Sequence, residues 1–186
     1  MHHRDLGVGF IVLPACKRDA SRMRSQPGRT MLSRVPDLDS ATPQIPARPG
    51  SIPRTALVNR LRASAPSLVV TVLAPAGYGK TTVLAQWAER DGRPFAWVSF
   101  EEGEDDPVGL CARVATALEC VEPLDESVLA AAFSSLDHPV VLVLDGVHVL
   151  RSKACADILA RLGAHVPDGS TLVLAGRTLP RGPIAR

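Results

Sequence analysis

The chain has 186 residues, 46% of them hydrophobic and 22% charged, enough apolar content to bury one modest core and enough charge for a water-facing surface. No run of about 18 apolar residues occurs, so no membrane-spanning helix is expected. The formal net charge is only +2, but it is unevenly divided: residues 1–60 carry 10 Lys and Arg against 4 Asp and Glu, and residues 61–186 carry 11 against 15.

Residues 1–50 are basic and rich in Pro, Ser and Arg, as in Ser25-Gln26-Pro27-Gly28-Arg29, with no apolar periodicity. They read as a disordered basic tail. The tail lacks interleaved aromatics and clustered lysines, so a solvated segment fits it better than a nucleic-acid-binding arm. Apolar residues 6–13 lead into Leu13-Pro14-Ala15-Cys16 and faintly resemble a lipoprotein signal. The weakly charged start and Pro14 argue against export and for a cytoplasmic protein. Cys16, Cys111, Cys120 and Cys155 show neither C-x-x-C spacing nor histidines at zinc-site intervals, and read as reduced structural thiols.

From about residue 51 the pattern becomes regular, and residues 51–186 read as one domain. Residues 54–64 carry Leu57, Val58 and Leu61 at helical spacing and stop before Pro66. Residues 68–73 form a continuous apolar run, the mark of a parallel strand buried on both faces. A helix follows over residues 79–90, with Val83, Leu84, Trp87 and Ala88 facing inward. Residues 95–100 make a second strand. Asp106 and Pro107 supply the N-cap and first residue of a helix that packs Cys111, Val114, Ala115 and Leu118. A short helix is expected over residues 125–136, a third strand over 139–145, a helix over 151–164 and a fourth strand over 170–176. Strands alternating with helices imply an α/β fold with a parallel sheet and right-handed crossovers.

Between the first strand and its helix stands Ala74-Pro75-Ala76-Gly77-Tyr78-Gly79-Lys80-Thr81-Thr82. In a phosphate-binding loop, glycines let successive N–H groups turn toward phosphate oxygens, and the following helix adds its positive end. Here Gly77 and Gly79 suit the first task, Lys80 is placed to neutralise β- and γ-phosphates, and the Thr81 hydroxyl to ligate Mg²⁺. The usual pattern is G-x-x-x-x-G-K-[ST]; Ala74 replaces its first glycine, while the strand–loop–helix context is kept.

The third strand delivers Asp145 at its carboxyl end, where ligands of open α/β sheets sit. Asp145 reads as the acid of a Mg²⁺ shell or, because Gly146 follows, as a turn residue; the phosphate loop upstream favours the first. Gly146 leaves no second carboxylate to orient a water, so hydrolysis is expected to be slow or undetectable, and Gly146→Asp is expected to raise it if the rest of the site is intact. Arg177, after the fourth strand, either contacts a γ-phosphate or is a solvated strand-end cation. His148 either caps a turn or lines the site.

Several stretches together resemble a known family: Pro53-Arg54-Thr55-Ala56-Leu57, the loop from Ala74 to Thr82, Gln86-Trp87, Ala96-Trp97-Val98-Ser99 with the acidic run Glu101 to Asp106 and Pro107, Leu144-Asp145-Gly146-Val147-His148, and Gly176-Arg177-Thr178. They look like the nucleotide-binding domain of LuxR-class, maltose-activator (MalT) type transcriptional regulators, members of the STAND class of P-loop NTPases. The resemblance implies ATP and Mg²⁺ as cofactors, Arg54 near the base or sugar, residues Gly77, Tyr78, Gly79, Lys80, Thr81 and Thr82 around the phosphates, Thr81 and Asp145 at the metal, and Arg177 sensing the γ-phosphate. It also implies a sheet ordered 5-1-4-3-2, of which only four strands can be counted, leaving residues 68–73 at an open, association-prone edge. Full regulators of this kind continue into a winged helix, a helical sensor and a helix-turn-helix. No recognition helix is visible in these residues, so no direct DNA binding is expected, and a partner protein is expected to supply the missing domains. A free-standing P-loop ATPase and an inactive fragment are the alternatives.

Overall fold

The computed structural model describes residues 8–12, 52–64, 68–120 and 126–181. A five-stranded sheet runs through it in the order β1-β2-β5-β4-β3, with every neighbouring pair parallel. The strands are β1 (Val8–Val12), β2 (Val69–Leu73), β3 (Phe95–Ser99), β4 (Val141–Asp145) and β5 (Thr171–Gly176). The helices are α1 (Thr55–Ala63), α2 (Lys80–Ala88), α3 (Pro107–Ala117), α4 (Glu126–Ser134) and α5 (Lys153–Ala164).

The helices form a layer on each face of the sheet. On one face Val70, Val72, Val143 and Val173 pack with Val58 and Leu61 of α1 and Val83, Leu84 and Trp87 of α2. On the other, Val98, Leu142, Leu144, Leu172 and Leu174 pack with Leu110 and Val114 of α3, Leu129 and Phe133 of α4, and Ile158, Leu159 and Leu162 of α5. Successive strand residues alternate between these two cores, so a strand covered on both sides needs apolar side chains at every position. Residues 141–144 satisfy this, all four being fully buried.

Helix starts follow local chemistry. The Asp106 carboxylate accepts from the Val108 and Gly109 N–H groups at the head of α3, with Pro107 in the first turn. The Ser152 hydroxyl accepts from the Cys155 N–H at the head of α5. Among the described residues Cys111, Cys120 and Cys155 form no disulfide, and no helix is long and apolar enough to cross a membrane.

The expected open edge at the phosphate-loop strand is not found. Strand β1 pairs with β2 in register from Val8 opposite Val69 to Val12 opposite Leu73, while β5 pairs with the other side of β2. The order of the remaining four strands is the expected one. An unpaired apolar strand leaves a row of backbone donors and acceptors unsatisfied, and Val8-Gly9-Phe10-Ile11-Val12 is rich in the β-branched and aromatic residues that suit pairing. Association through β2 therefore loses its basis. Residues 8–12 leave the segment read as a disordered tail; the rest of that segment, Cys16 included, lies outside the described residues.

Candidate functional site

Strands β2, β5 and β4 are adjacent, and their carboxyl ends bring together three segments distant in sequence. The chain leaves β2 through Ala74 and Pro75, turns at Gly77 and Gly79, both at φ near +79°, and enters α2 at Lys80. That left-handed geometry is open to glycine at little cost and strained for other residues. No side chain caps α2 and its first turn carries no acid, so the positive end of the helix faces the loop uncompensated.

The Lys80 ammonium reaches back over the loop, donating to the carbonyls of Ala74 at 2.7 Å and Pro75 at 3.1 Å. Burial lowers its pKa, with the Asp145 carboxylate opposing that shift and the Arg177 guanidinium adding to it. Lys80, Asp145 and Arg177 therefore share one electrostatic neighbourhood. The Thr81 hydroxyl donates to Asp145 Oδ2 at 2.7 Å, linking the head of α2 to the end of β4 across 64 residues of sequence.

The Thr81–Asp145 pair fits a magnesium site. Two oxygens in neighbouring octahedral positions around Mg²⁺, each about 2.0–2.1 Å from the ion, lie about 2.9 Å apart, close to the separation these oxygens already have. Among the described residues no three His, Cys, Asp or Glu side chains converge as a metal cage. A small set of protein oxygens suits an ion that completes its shell with water and phosphate.

A cavity of about 350 Å³ opens beside the loop, lined by Ile52, Arg54, Gly77, Gly79, Lys80, Thr81 and Thr82. The Arg54 guanidinium lies across Gly79, with one of its terminal nitrogens 3.3 Å from where a Cβ on that glycine would stand. Tyr78 is half-buried and packs against the core beneath α1 and α2, so its ring serves the scaffold as well as the loop. Arg177 is exposed after β5, and among the described residues it makes no side-chain hydrogen bond or ion pair.

His148, in the 3₁₀ turn Val147–Val149 after Asp145, has a buried Nδ1 without a hydrogen-bond partner among the described residues. Burial first, then Arg177 and Lys80, lower its pKa against the opposing pull of Glu102 and Asp145, which favours the neutral ring. The ring belongs to the neighbourhood of the site, which sequence left undecided.

Gly146 is more than the position of a missing acid. It has φ +87°, and a Cβ placed on it would stand 2.3 Å from the backbone oxygen of Phe100. Its own N–H donates to the Ala175 carbonyl while the Phe100 N–H donates to the Asp145 carbonyl, so the clashing segment is tied in place. The expectation that Gly146→Asp raises turnover is therefore corrected: that side chain cannot enter without moving β3 or β4.

The acidic run after β3 is also spent on structure. Glu104 accepts from the Glu101 N–H and pairs with Arg113, Asp105 accepts from the Ser152 N–H at 2.8 Å, and Asp106 caps α3. These contacts tie the end of β3 to the starts of α3 and α5.

Comparison with known proteins gives a consistent picture. No family model matches the chain. The chain is similar to the HTH-type transcriptional regulator MalT of Yersinia enterocolitica serotype O:8, 29% identical over 146 residues that cover 68% of this chain and 16% of the relative. It is likewise similar to MalT of Yersinia pestis strain Pestoides F, 29% identical over 149 residues, or 70% of this chain and 16% of the relative. The chain thus spans about one sixth of the length of the curated relatives it matches. Over some seven-tenths of its length it is homologous to MalT-type transcriptional regulators.

Proposed function

We propose that residues 51–186 form an ATP-binding switch module of a LuxR/MalT-type transcriptional regulator acting in the cytoplasm. The observation that carries this reading is the Thr81–Asp145 hydrogen bond at the mouth of the phosphate loop, which joins the two residues a Mg²⁺–triphosphate ligand requires. The homology to MalT supports a regulatory setting rather than a metabolic one. DNA recognition is assigned to other polypeptide regions, and a protein partner or further domains would read the state of the switch.

In this reading the N–H groups around Gly77 to Thr82 receive the phosphates, Lys80 balances the β- and γ-phosphate charge, and Arg54 closes the nucleoside side of the cavity. Thr81 and Asp145 would hold Mg²⁺, which would supply charge neutralisation to the triphosphate. Binding trades contacts that the residues otherwise make with each other. The Lys80 ammonium, which donates to the Ala74 and Pro75 carbonyls, would be available to phosphate, the Thr81 hydroxyl, which donates to Asp145, would be available to the metal, and Arg177 would face the anion from the end of β5. Because Lys80 and Thr81 stand on α2, Asp145 ends β4 and Arg177 follows β5, these residues would let a bound nucleotide be felt across the sheet. Gly146 provides no base, so hydrolysis is slow and the ATP state persists.

A fluorescent ATP analogue titrated with Mg²⁺ tests the reading. Lys80→Ala removes a charge-assisted contact worth about 1.5–3 kcal/mol, so affinity is expected to fall about 10- to 100-fold with the fold retained. Equal affinity of the two proteins would overturn the proposal.

A further inference from the structure

The inner face of α2 contains one polar residue that apolar packing does not call for. Gln86 is only 6% exposed, between Ala85 and the fully buried Trp87. Its Oε1 accepts from the Arg54 N–H at 2.8 Å, and its Nε2 donates to the Ile52 carbonyl at 3.0 Å. One amide thus grips the backbone on both sides of Pro53, as a neighbouring strand would, across more than 30 residues of sequence.

The gripped segment leads into α1, whose first turn begins with the Leu57 and Val58 N–H groups donating to the Arg54 carbonyl. Arg54 is the N-cap of α1, has φ −110° and ψ 50°, and makes no side-chain capping bond. Ile52 is 79% exposed. Both residues nevertheless line the cavity beside the phosphate loop, and the Arg54 guanidinium lies on Gly79. Because Gln86 stands on the helix that the loop opens into, its amide sets the distance between that loop and the 52–54 wall.

We infer that Gln86 is a positioning residue for the nucleotide site: through two backbone hydrogen bonds it holds Ile52 and Arg54 against the phosphate loop, so that Arg54 can meet a nucleoside triphosphate. Gln86 touches no ligand and acts through Arg54. The inference rests on the nucleotide-binding reading above.

A double-mutant cycle on MgATP affinity tests it, with circular dichroism confirming that each variant is folded. Gln86→Leu keeps approximate volume and loses both hydrogen bonds. Gln86→Glu keeps an acceptor for the Arg54 N–H but, when ionised, has no donor for the Ile52 carbonyl, and carries the test should the Leu variant fail to fold. Gln86→Leu and Arg54→Ala are each expected to weaken MgATP about tenfold, and the double variant no more than the worse single one. Gln86→Glu is expected to fall between wild type and Gln86→Leu, and to lose its effect in an Arg54→Ala background. Wild-type affinity in either Gln86 variant, or losses that multiply to about 100-fold in the double variant, would overturn the positioning role while leaving nucleotide binding intact. Failure of the wild-type protein to bind MgATP would instead overturn the nucleotide reading, and this inference with it.

Discussion

Arg93, at the amino end of the sheet, and the two arginines beside the loop after β2, at its carboxyl end, are used in opposite ways. At the amino end, Arg93 donates from Nε and NH2 to Asp91 and from NH1 to the Gly169 carbonyl and the Thr171 hydroxyl. Asp91 also accepts from Trp87 Nε1, so the cluster joins the end of α2 to the starts of β3 and β5. At the carboxyl end, the guanidinium of Arg54 lies on a loop glycine and that of Arg177 is exposed, and neither donates a hydrogen bond among the described residues. A guanidinium whose donors are consumed internally holds the fold, and one left beside a phosphate loop has capacity for an anion. Arg93 has spent its donors on the fold, whereas Arg54 and Arg177 keep theirs to spare beside the loop.

The largest expected effect lies at Gly146, beside the end of β4. Gly146→Asp combines a left-handed backbone position with a clash against the Phe100 carbonyl, and should cost about 3 kcal/mol or more in urea unfolding rather than create an active ATPase. A well-folded, faster-hydrolysing variant would show that β3 and β4 yield there.

The two classes of arginine should then separate in paired measurements. Arg93→Ala removes the guanidinium from Asp91 and from two acceptors on β5 and its preceding turn, and is expected to lower stability by about 2–3 kcal/mol, with MgATP affinity of the folded protein unchanged. Arg177→Ala should do the reverse: stability within about 0.5 kcal/mol of wild type, and a loss in ATP affinity that ADP does not share. Equal effects on ATP and ADP would remove the γ-phosphate role.

A smaller effect is expected from acid. The Arg93 guanidinium, chiefly by its side-chain hydrogen bonds, holds the Asp91 carboxyl at about 2 against an ordinary value of 3.8. Because the folded value is depressed, the stability gained is complete above the unfolded value and is lost as pH falls from about 4 toward 2. With partial solvent screening this amounts to about 1–2 kcal/mol. Trp87, whose indole N–H donates to Asp91, reports unfolding by its fluorescence. The difference between wild type and Asp91→Asn should shrink across that window, and a constant difference would count against the pairing.

Much of the architecture was legible because it is written locally. Continuous apolar runs predict β2, β4 and β5 within two residues of their observed limits, and Asp106-Pro107 marks the start of α3. The loop and Asp145 could be paired because motif and strand-end position are both readable in sequence. Strand β1 was missed although its apolar run was noticed, since its partner begins some 57 residues away and parallel pairing leaves no local signature. Gly146 was read for the side chain it lacks, whereas the Phe100 carbonyl that requires a glycine there is a tertiary fact. Gln86 left one faint signal, a polar residue among the apolar positions of α2, but its partners at Ile52 and Arg54 appear only once α1 and α2 are packed.

The central claim is that the carboxyl ends of β2, β4 and β5 hold a metal–triphosphate through Lys80, Thr81 and Asp145. A crystal structure with a non-hydrolysable ATP analogue and Mn²⁺ in place of Mg²⁺ tests it most directly, because the anomalous signal locates the metal. Mn²⁺ is expected on the Thr81 hydroxyl, with Asp145 in its shell directly or through water and the β- and γ-phosphates against Lys80. Nucleotide bound elsewhere on the protein, or a metal held away from both Thr81 and Asp145, would contradict it.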